Sequence, residues 1–204
     1  IAQAGGAAGL AVVSDLDETA IDNTPLLVRD MEKCHVYDTW DTWGDWELRG
    51  KPTPIPGALE AIARLNQWGW RVVVATNQSG IGRGLFGMDT LNAMHDKMHR
   101  AVQGAGGRID AVFYCPHAAD SNCNCRKPKP GMMERIADCF NVDLKGVFAI
   151  GDSLRDLEAA VTAGALPILV LTGKGEKTLA EGNLPAGTLV FNDLAAAVEH
   201  ILRT

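Results

Sequence analysis

The sequence contains no uninterrupted apolar run of about 18 residues, the length expected of a membrane-spanning helix. It also has no excess of positive charge, since its net charge is −6 and its pI is about 5.3. The first absence argues against a membrane partner and the second against a nucleic-acid partner. The opening residues IAQAGGAAGL do not have the pattern of an intact signal peptide, although a chain that had lost one would look the same.

Internal repeats, low-complexity tracts and interdomain linkers are also absent from the 204 residues. We therefore expect one domain over residues 1–204, with a lid-like insert at 20–56 as a small N-terminal cover segment. Apolar strand patterns at 10–15, 71–76, 109–115, 146–152, 167–172 and 187–191 alternate with helical patterns at 57–68, 89–104, 130–139 and 154–163. The alternation predicts an α/β fold, a parallel sheet sandwiched by helices, with the functional groups at the carboxyl ends of the strands.

Five cysteines, an odd number, do not suggest a disulfide scaffold. Four metal-binding side chains instead follow the spacing C-x-H-x₅-C-x-C at 115–125, namely Cys115, His117, Cys123 and Cys125. Three thiolates and one imidazole are typical of a closed structural zinc site, with reduced surface cysteines as the alternative. Cys139 is expected to be a small core residue of a helix. Zinc thiolates favour a reducing compartment, and therefore a cytoplasmic protein.

Two carboxylates stand two residues apart at a strand end, in S-D-L-D-E-T at 14–19. Adjacent carboxylates repel unless a cation holds them or one is protonated, so Asp15 and Asp17 suit a nucleophile and a proton carrier beside Mg²⁺. A-I-G-D-S-L-R-D at 149–156 places Asp152 at another strand end, with Asp156 one helical turn later. Oxygen ligands from separate strand ends suit Mg²⁺. An acidic turn and a helix cap are the structural alternatives.

Two further segments could hold a phosphoryl group. V-V-V-A-T-N-Q-S-G at 72–80 ends a strand in hydroxyl, amide and backbone N–H donors. C-R-K-P-K-P-G at 125–131 offers Arg126 and Lys127 in a loop restricted by prolines. A fixed lysine can neutralise charge on a transferred phosphoryl group, and arginine can clamp another phosphate or sugar oxygen. Ordinary turns are the alternative for both segments.

Four features occur in order along the chain: D-x-D-x-T, a strand ending in Thr, a Lys and G-D-x-x-x-D. Together they resemble the motifs of the haloacid dehalogenase-like (HAD) phosphatases. The resemblance implies an enzyme that passes through an aspartyl phosphate and needs Mg²⁺. Asp15 would be the nucleophile, and Asp17 the general acid and then the general base. Thr76 and Lys127 would hold the phosphoryl group. Asp15, the backbone carbonyl of Asp17 and Asp152 would bind Mg²⁺.

From about Pro54 onward the chain resembles the heptose 1,7-bisphosphate phosphatases, through TNQSGIGRG (76–84), YCPH (114–117), CNCRKPKPGM (123–132) and IGDSLRDLEAA (150–160). This resemblance implies a small phosphorylated sugar as substrate, a place in lipopolysaccharide biosynthesis and a monomer. The substrate-binding residues would be Asn77, Gln78, Ser79, Arg126 and Ser153, with Arg126 near a second phosphate or the sugar. Arg83 is our own addition, because a mobile cation in the glycine loop could reach a second phosphate; a solvated loop residue is the alternative.

The first quarter resembles another family, the class C acid phosphatases, through DLDETAIDNTP (15–25) and DTWDTWGDWELRGKPTPIPG (38–57). This family is often secreted, which argues against the cytoplasm. Trp40, Trp43 and Trp46 recur every three residues and would form either the packing face of a lid or a platform for a ring. Histidinol-phosphate phosphatase, broad acid phosphatase or nucleotidase, and an inactive HAD-fold binding protein remain the alternative functions.

Overall fold

The computed structural model of the protein describes residues 12–22 and 53–204. The strands in this part of the chain are β1 (Val12–Ser14), β2 (Ile21–Asp22), β3 (Thr53–Pro54), β4 (Val72–Asn77), β5 (Ala111–Cys115), β6 (Phe148–Gly151), β7 (Leu166–Val170) and β8 (Leu189–Phe191). The helices are α1 (Ala58–Gln67), α2 (Met88–Gly104), α3 (Gly131–Phe140), α4 (Leu154–Thr162), α5 (Gly175–Ala180) and α6 (Leu194–Ile201).

A six-stranded parallel sheet has the strand order β5-β4-β1-β6-β7-β8. The first strand of the chain is therefore an inner strand, with Val12 in register with Val72 on one side and with Phe148 on the other. The short strands β2 and β3 pair with each other in an antiparallel ladder outside this sheet. The inner position of β1 brings the residues that follow it between those that follow β4 and β6.

Helices cover both faces of the sheet. Successive side chains of each strand point to opposite faces, so each strand contributes to two cores. Val12 belongs to a core shared with α1 and α6, which contribute Ile62 and Val198. Val13 belongs to a second core, with α3 and α4 and including Ile136. Apolar side chains on both faces explain why the strands read as continuous apolar runs. The predicted α/β sandwich is confirmed.

Three features differ from the sequence prediction or lie beyond it. Helix α5 and the β2–β3 ladder were not predicted, because neither has a clear apolar period. The prediction of a core position for Cys139 was wrong, since its side chain is exposed; the buried face of α3 runs through Met132, Met133 and Ile136 and ends before the last turn.

The predicted insert at 20–56 is described only at its two ends, where β2 and β3 pair. The tryptophans at 40, 43 and 46 and Cys34 lie outside the described residues. Within the described residues, no helix has the length and apolar character needed to cross a membrane.

Candidate active site

Polar side chains converge where three neighbouring strands end. Asp15 follows β1, Thr76 and Asn77 end β4, and Asp152 follows β6. They meet at one edge because parallel strands present their carboxyl ends together. The same cleft, of about 440 Å³, is lined by the predicted residues Asp17, Lys127 and Ser153 and by Asp156 of the G-D-x-x-x-D motif. Three residues with no predicted role also line it, namely Glu18, Arg155 and Lys174.

Lys127 is the buried cation at the centre of this cleft, with 5% of the residue exposed. Its Nζ lies 2.6 Å from Asp15 Oδ1 and 2.6 Å from Asp156 Oδ1. It also donates a 2.8 Å hydrogen bond to the carbonyl oxygen of Ala75. Burial lowers the pKa of Lys127, but the two carboxylates outweigh burial and raise the pKa above its ordinary value. The lysine is therefore a fixed positive charge.

The carboxylates of the cleft outnumber its buried cation. Burial raises the pKa of Asp15 to about 8 against the opposing effect of Lys127. Burial likewise raises the pKa of Asp152. The pKa of Asp156 is lowered, because Lys127 and Ser153 together outweigh the effect of burial. Full ionisation of Asp15 at neutral pH is therefore favoured by a further positive charge beside it.

A divalent cation fits this need. One carboxylate oxygen from each of Asp15, Asp152 and Asp156 lies within 4.8 Å of the others. The set contains oxygen alone, which is what Mg²⁺ prefers. Asp156 already accepts hydrogen bonds from the backbone N–H and the hydroxyl of Ser153, besides its contact with Lys127. It orients its neighbours, whereas Asp15 and Asp152 have more capacity left for a metal.

Asp152 is held by the segment that follows β7. The backbone N–H of Lys174 donates to Asp152 Oδ2 at 2.9 Å, and the buried hydroxyl of Thr178 donates to the Asp152 carbonyl at 3.0 Å. Gly173 has a φ of +55°, and a Cβ there would lie 2.6 Å from Asp152 Oδ2. The sequence analysis missed Lys174 and Thr178; a glycine-flanked turn after an apolar strand, T-G-K-G at 172–175, was the available signal.

Two predicted substrate-binding amides contact other protein groups. Gln78 is buried, and its Nε2 donates to Asp17 Oδ2 at 3.1 Å and to Thr76 Oγ1 at 3.0 Å. Asn77 donates from Nδ2 to the Lys127 carbonyl and accepts the Lys127 N–H at Oδ1, both at 3.1 Å. Asn77 lines the cleft, whereas Gln78 does not.

The predicted zinc ligands form a second cluster beside this cleft, with ligand atoms within 4.8 Å of one another. Cys115 Sγ lies 3.8 Å from Cys123 Sγ and 3.4 Å from Cys125 Sγ, and His117 Nδ1 lies 3.2 Å from Cys125 Sγ. A tetrahedral zinc with Zn–S bonds of about 2.3 Å places its sulfurs about 3.8 Å apart. Burial raises the pKa of Cys115 to about 12. A bound cation would favour the ionised form of this thiol, and the four ligands and their spacing fit zinc.

The two predicted arginines lie next to the zinc loop, residues 115–125. Arg126 donates from Nη1 to the His117 carbonyl at 3.4 Å. Arg83 is exposed on the glycine loop, where its N–H bonds to the Ser79 carbonyl. The glycine loop packs against the zinc loop, since the Gly82 N–H donates to the Pro116 carbonyl at 2.8 Å. A Cβ at Gly82 would lie 2.7 Å from the same oxygen. Arg83, Ser79 and Arg126 do not line the cleft in the described part of the chain.

Comparison with known proteins places this arrangement in a family. Residues 12–160 match the family described as polynucleotide kinase 3 phosphatase, and residues 124–197 match the HAD-hydrolase-like family. A solved structure of D,D-heptose 1,7-bisphosphate phosphatase from Bordetella bronchiseptica, complexed with magnesium and phosphate, is similar, with a TM-score of 0.81 and 49% identity. The similarity covers 96% of this chain and 98% of that one.

Curated relatives agree with the structural comparison. A D-glycero-beta-D-manno-heptose-1,7-bisphosphate 7-phosphatase from Bordetella bronchiseptica is 61% identical over 149 residues, which are 73% of this chain and 83% of the relative. The protein of the same name from Pseudomonas putida is 52% identical over 180 residues, 87% of this chain and 99% of the relative. The chain therefore belongs to the D-glycero-beta-D-manno-heptose-1,7-bisphosphate 7-phosphatase family, whose members are phosphatases of the HAD superfamily.

Proposed function

We propose that this protein is a Mg²⁺-dependent phosphatase that removes one phosphate, the 7-phosphate, from D-glycero-β-D-manno-heptose 1,7-bisphosphate. The observation that carries the proposal is the contact of Lys127 Nζ with Asp15 at 2.6 Å, in a cleft that Asp17, Thr76 and Asp152 also line. A nucleophile, a proton carrier, a phosphoryl-binding cation and a metal ligand thus stand in one place. The family membership supports the choice of sugar.

In the first step, a carboxylate oxygen of Asp15 forms a bond to phosphorus as the bond from phosphorus to the sugar oxygen breaks. Asp17 gives its proton to the leaving oxygen, so the sugar departs as an alcohol. The Thr76 hydroxyl and Lys127 hold the phosphoryl oxygens and offset their charge. The buried ammonium of Lys127 is fixed before substrate arrives, so it adds no reorganisation to this step.

In the second step, Asp17 is a carboxylate and takes a proton from water. The hydroxide equivalent attacks phosphorus and breaks its bond to Asp15, which releases phosphate and restores both residues. Asp15, Asp152 and the backbone carbonyl of Asp17 would hold Mg²⁺, which when bound neutralises charge on the phosphoryl group. Asn77 and Ser153 line the cleft beside these groups, and Gln78 contacts Asp17 and Thr76.

The first test of this function is phosphate release with Mg²⁺ from heptose 1,7-bisphosphate beside p-nitrophenyl phosphate, histidinol phosphate and a nucleoside monophosphate. We expect a large preference in kcat/KM for the bisphosphate and loss of activity in a metal chelator. Comparable slow turnover of all four would contradict the sugar assignment and indicate a general phosphatase, as the resemblance of the first quarter to class C acid phosphatases suggests. No turnover of any of them would favour an inactive binding protein.

We propose a structural zinc ion on Cys115, His117, Cys123 and Cys125, and expect about one zinc per chain in protein purified without chelators. Cys123→Ser should lose most of it, because a serine hydroxyl is a poor zinc ligand. Elemental analysis by mass spectrometry measures both. The matched control is Cys139→Ser, which changes an exposed thiol outside the cluster. Wild-type protein that has the same melting temperature with and without zinc would contradict the assignment.

Arg126→Ala is expected to reduce kcat/KM for the 1,7-bisphosphate about tenfold or more, and much less for the 7-monophosphate. Arg126 follows the zinc loop directly and donates to the His117 carbonyl on it. Loss of one hydrogen bond to a charged group costs about 1.5–3 kcal/mol. Arg83→Ala on the neighbouring glycine loop should lower kcat/KM in the same direction. The control is Arg100→Ala, at an exposed position of α2. Equal losses on the two substrates would mean that Arg126 does not bind the second phosphate.

We further propose that the protein acts as a single domain and as a monomer in the cytoplasm. The described residues of one chain supply every group of the mechanism, and the four described cysteines are free of disulfides. Thiolate ligands are retained most readily in a reducing compartment. Size-exclusion chromatography with light scattering tests the oligomeric state.

A further inference from the structure

A single amide links two groups of the proposed mechanism. Gln78 follows β4, and 6% of the residue is exposed. Its Nε2 lies 3.1 Å from Asp17 Oδ2 and 3.0 Å from Thr76 Oγ1. An amide nitrogen has two protons, so these two contacts use both of them. The backbone N–H of Gln78 is anchored as well, through a 2.8 Å hydrogen bond to the Cys115 carbonyl.

We propose that Gln78 is a positioning residue that holds the proton carrier Asp17 and the hydroxyl of Thr76 in their working orientations, and that it does not bind substrate. The proposal rests on the proposed phosphatase mechanism. It also replaces the expectation, taken from the family resemblance, that this side chain contacts the sugar. The side chain is buried, does not line the cleft and has both donors used, so only its carbonyl oxygen is left to contact a substrate.

The contact with Asp17 favours one oxygen for the proton. Asp17 Oδ2 accepts a hydrogen bond from Gln78, and an oxygen that accepts from a fixed donor is the poorer place for a proton. Oδ1 is therefore the oxygen from which the proton moves to the sugar oxygen as the phosphorus–oxygen bond breaks and the bond from Asp15 forms. In the second step, the proton taken from water returns to the same oxygen.

The contact with Thr76 directs the other proton. A hydroxyl has one proton to donate and two lone pairs that accept. Since Thr76 Oγ1 accepts from Gln78, its own proton is available in another direction, and Thr76 lines the cleft. The arrangement makes the Thr76 hydroxyl a donor toward a phosphoryl oxygen. The amide of Gln78 thus orients both Asp17, which gives a proton, and Thr76, which holds the phosphate.

The test uses the dependence of activity on the leaving group. p-Nitrophenolate departs without a proton, whereas a sugar alkoxide needs one from Asp17. Gln78→Met keeps the length of the side chain and removes both donors. We expect kcat/KM to fall about a hundredfold with heptose 1,7-bisphosphate, which is at the lower end of the 10²–10⁴-fold contribution of general acid catalysis. With p-nitrophenyl phosphate we expect a loss of about tenfold or less. kcat/KM is the correct measure because it covers the steps up to formation of the aspartyl phosphate.

The neighbouring amide provides a matched comparison. The side chain of Asn77 contacts the main chain of Lys127 at both its N–H and its carbonyl. Asn77→Leu should therefore weaken the hold on the phosphoryl charge and lower kcat/KM by a similar factor with both substrates. A leaving-group dependence in Gln78→Met that is absent from Asn77→Leu is the expected signature, and an ordinary packing defect at either position would not produce it.

Equal losses on the two substrates in Gln78→Met would overturn the role in holding Asp17. A change confined to KM for the sugar would overturn it too, in favour of substrate binding. If Gln78→Met does not fold, Gln78→Leu serves in its place, because it removes both donors and places no charge beside Asp17. Failure of the wild-type protein to hydrolyse either phosphate ester would count against the proposed function itself, and it is seen before any variant is made.

Discussion

Asp15→Asn is expected to lower kcat by at least about three powers of ten while leaving the fold intact. The amide has nearly the shape of the carboxylate, and its oxygen can still accept the hydrogen bond from Lys127, which lies 2.6 Å from Asp15 Oδ1 in the native protein. It has no negative charge with which to attack phosphorus. Phosphate release measures the loss, and circular dichroism with thermal melting checks the fold.

The control for this variant is Asp138→Asn, the same substitution on an exposed turn of α3. It should retain full activity. Residual activity of Asp15→Asn above about one per cent would contradict the assignment of the nucleophile, since loss of a nucleophile normally costs several powers of ten. Mass spectrometry of the intact protein shows whether deamidation of the introduced asparagine back to aspartate accounts for any residual activity.

Lys127→Met is expected to reduce kcat by about 10²–10³-fold and to destabilise the protein as well. Removal of a preorganised donor in an active site has a cost of this size. Two buried carboxylates, Asp15 and Asp156, also lose the ammonium that lies 2.6 Å from each. Breaking a buried ion pair from one side costs about 3–5 kcal/mol, and in a chain of this size each kcal/mol lowers the melting temperature by about 2–4 °C.

Lys127→Arg separates the two effects. It keeps a positive charge between the carboxylates, so it should recover most of the stability, but a planar guanidinium does not replace a point charge in the phosphoryl site. Lys145→Met, at an exposed position, is the control and should change neither property. A Lys127→Met protein with kcat within tenfold of the wild type would remove Lys127 from the proposed mechanism.

Much of this site could be predicted from sequence because it depends on where strands end. The apolar runs that precede Asp15, Thr76 and Asp152 identify three buried parallel strands, and parallel strands present those residues at one edge. Lys127 was predicted from its basic, proline-rich loop and from the resemblance to the HAD phosphatases. The sequence does not show that this lysine is buried against Asp15, 112 positions earlier.

The contacts that orient the catalytic groups could not be predicted, for a physical reason. The alternation of side chains stops where a strand ends. The contacts of Asn77, the last residue of β4, and of Gln78, the next residue, are therefore made with partners 50 and 61 positions away. Thr178 lies in α5, a six-residue helix with no apolar period, and it reaches Asp152 through a hydroxyl. Contacts of this kind depend on the assembled fold, and the T-G-K-G turn at 172–175 marks only the segment that holds Asp152, not the contacts it makes.

The inner position of β1 has a consequence for how the protein reaches its active form. Val12 pairs with Val72 and with Phe148, which lie 60 and 136 positions later in the chain. Among the described strands, β1 is synthesised first and waits longest for its second neighbour, and pairings this distant in sequence make folding slow. The N–H of Asp15 is bonded at 2.9 Å to the carbonyl of Ile150 on that second neighbour. Asp15 therefore takes its working position only after β6 has joined the sheet, so activity should appear late in refolding, after most of the helical signal has returned.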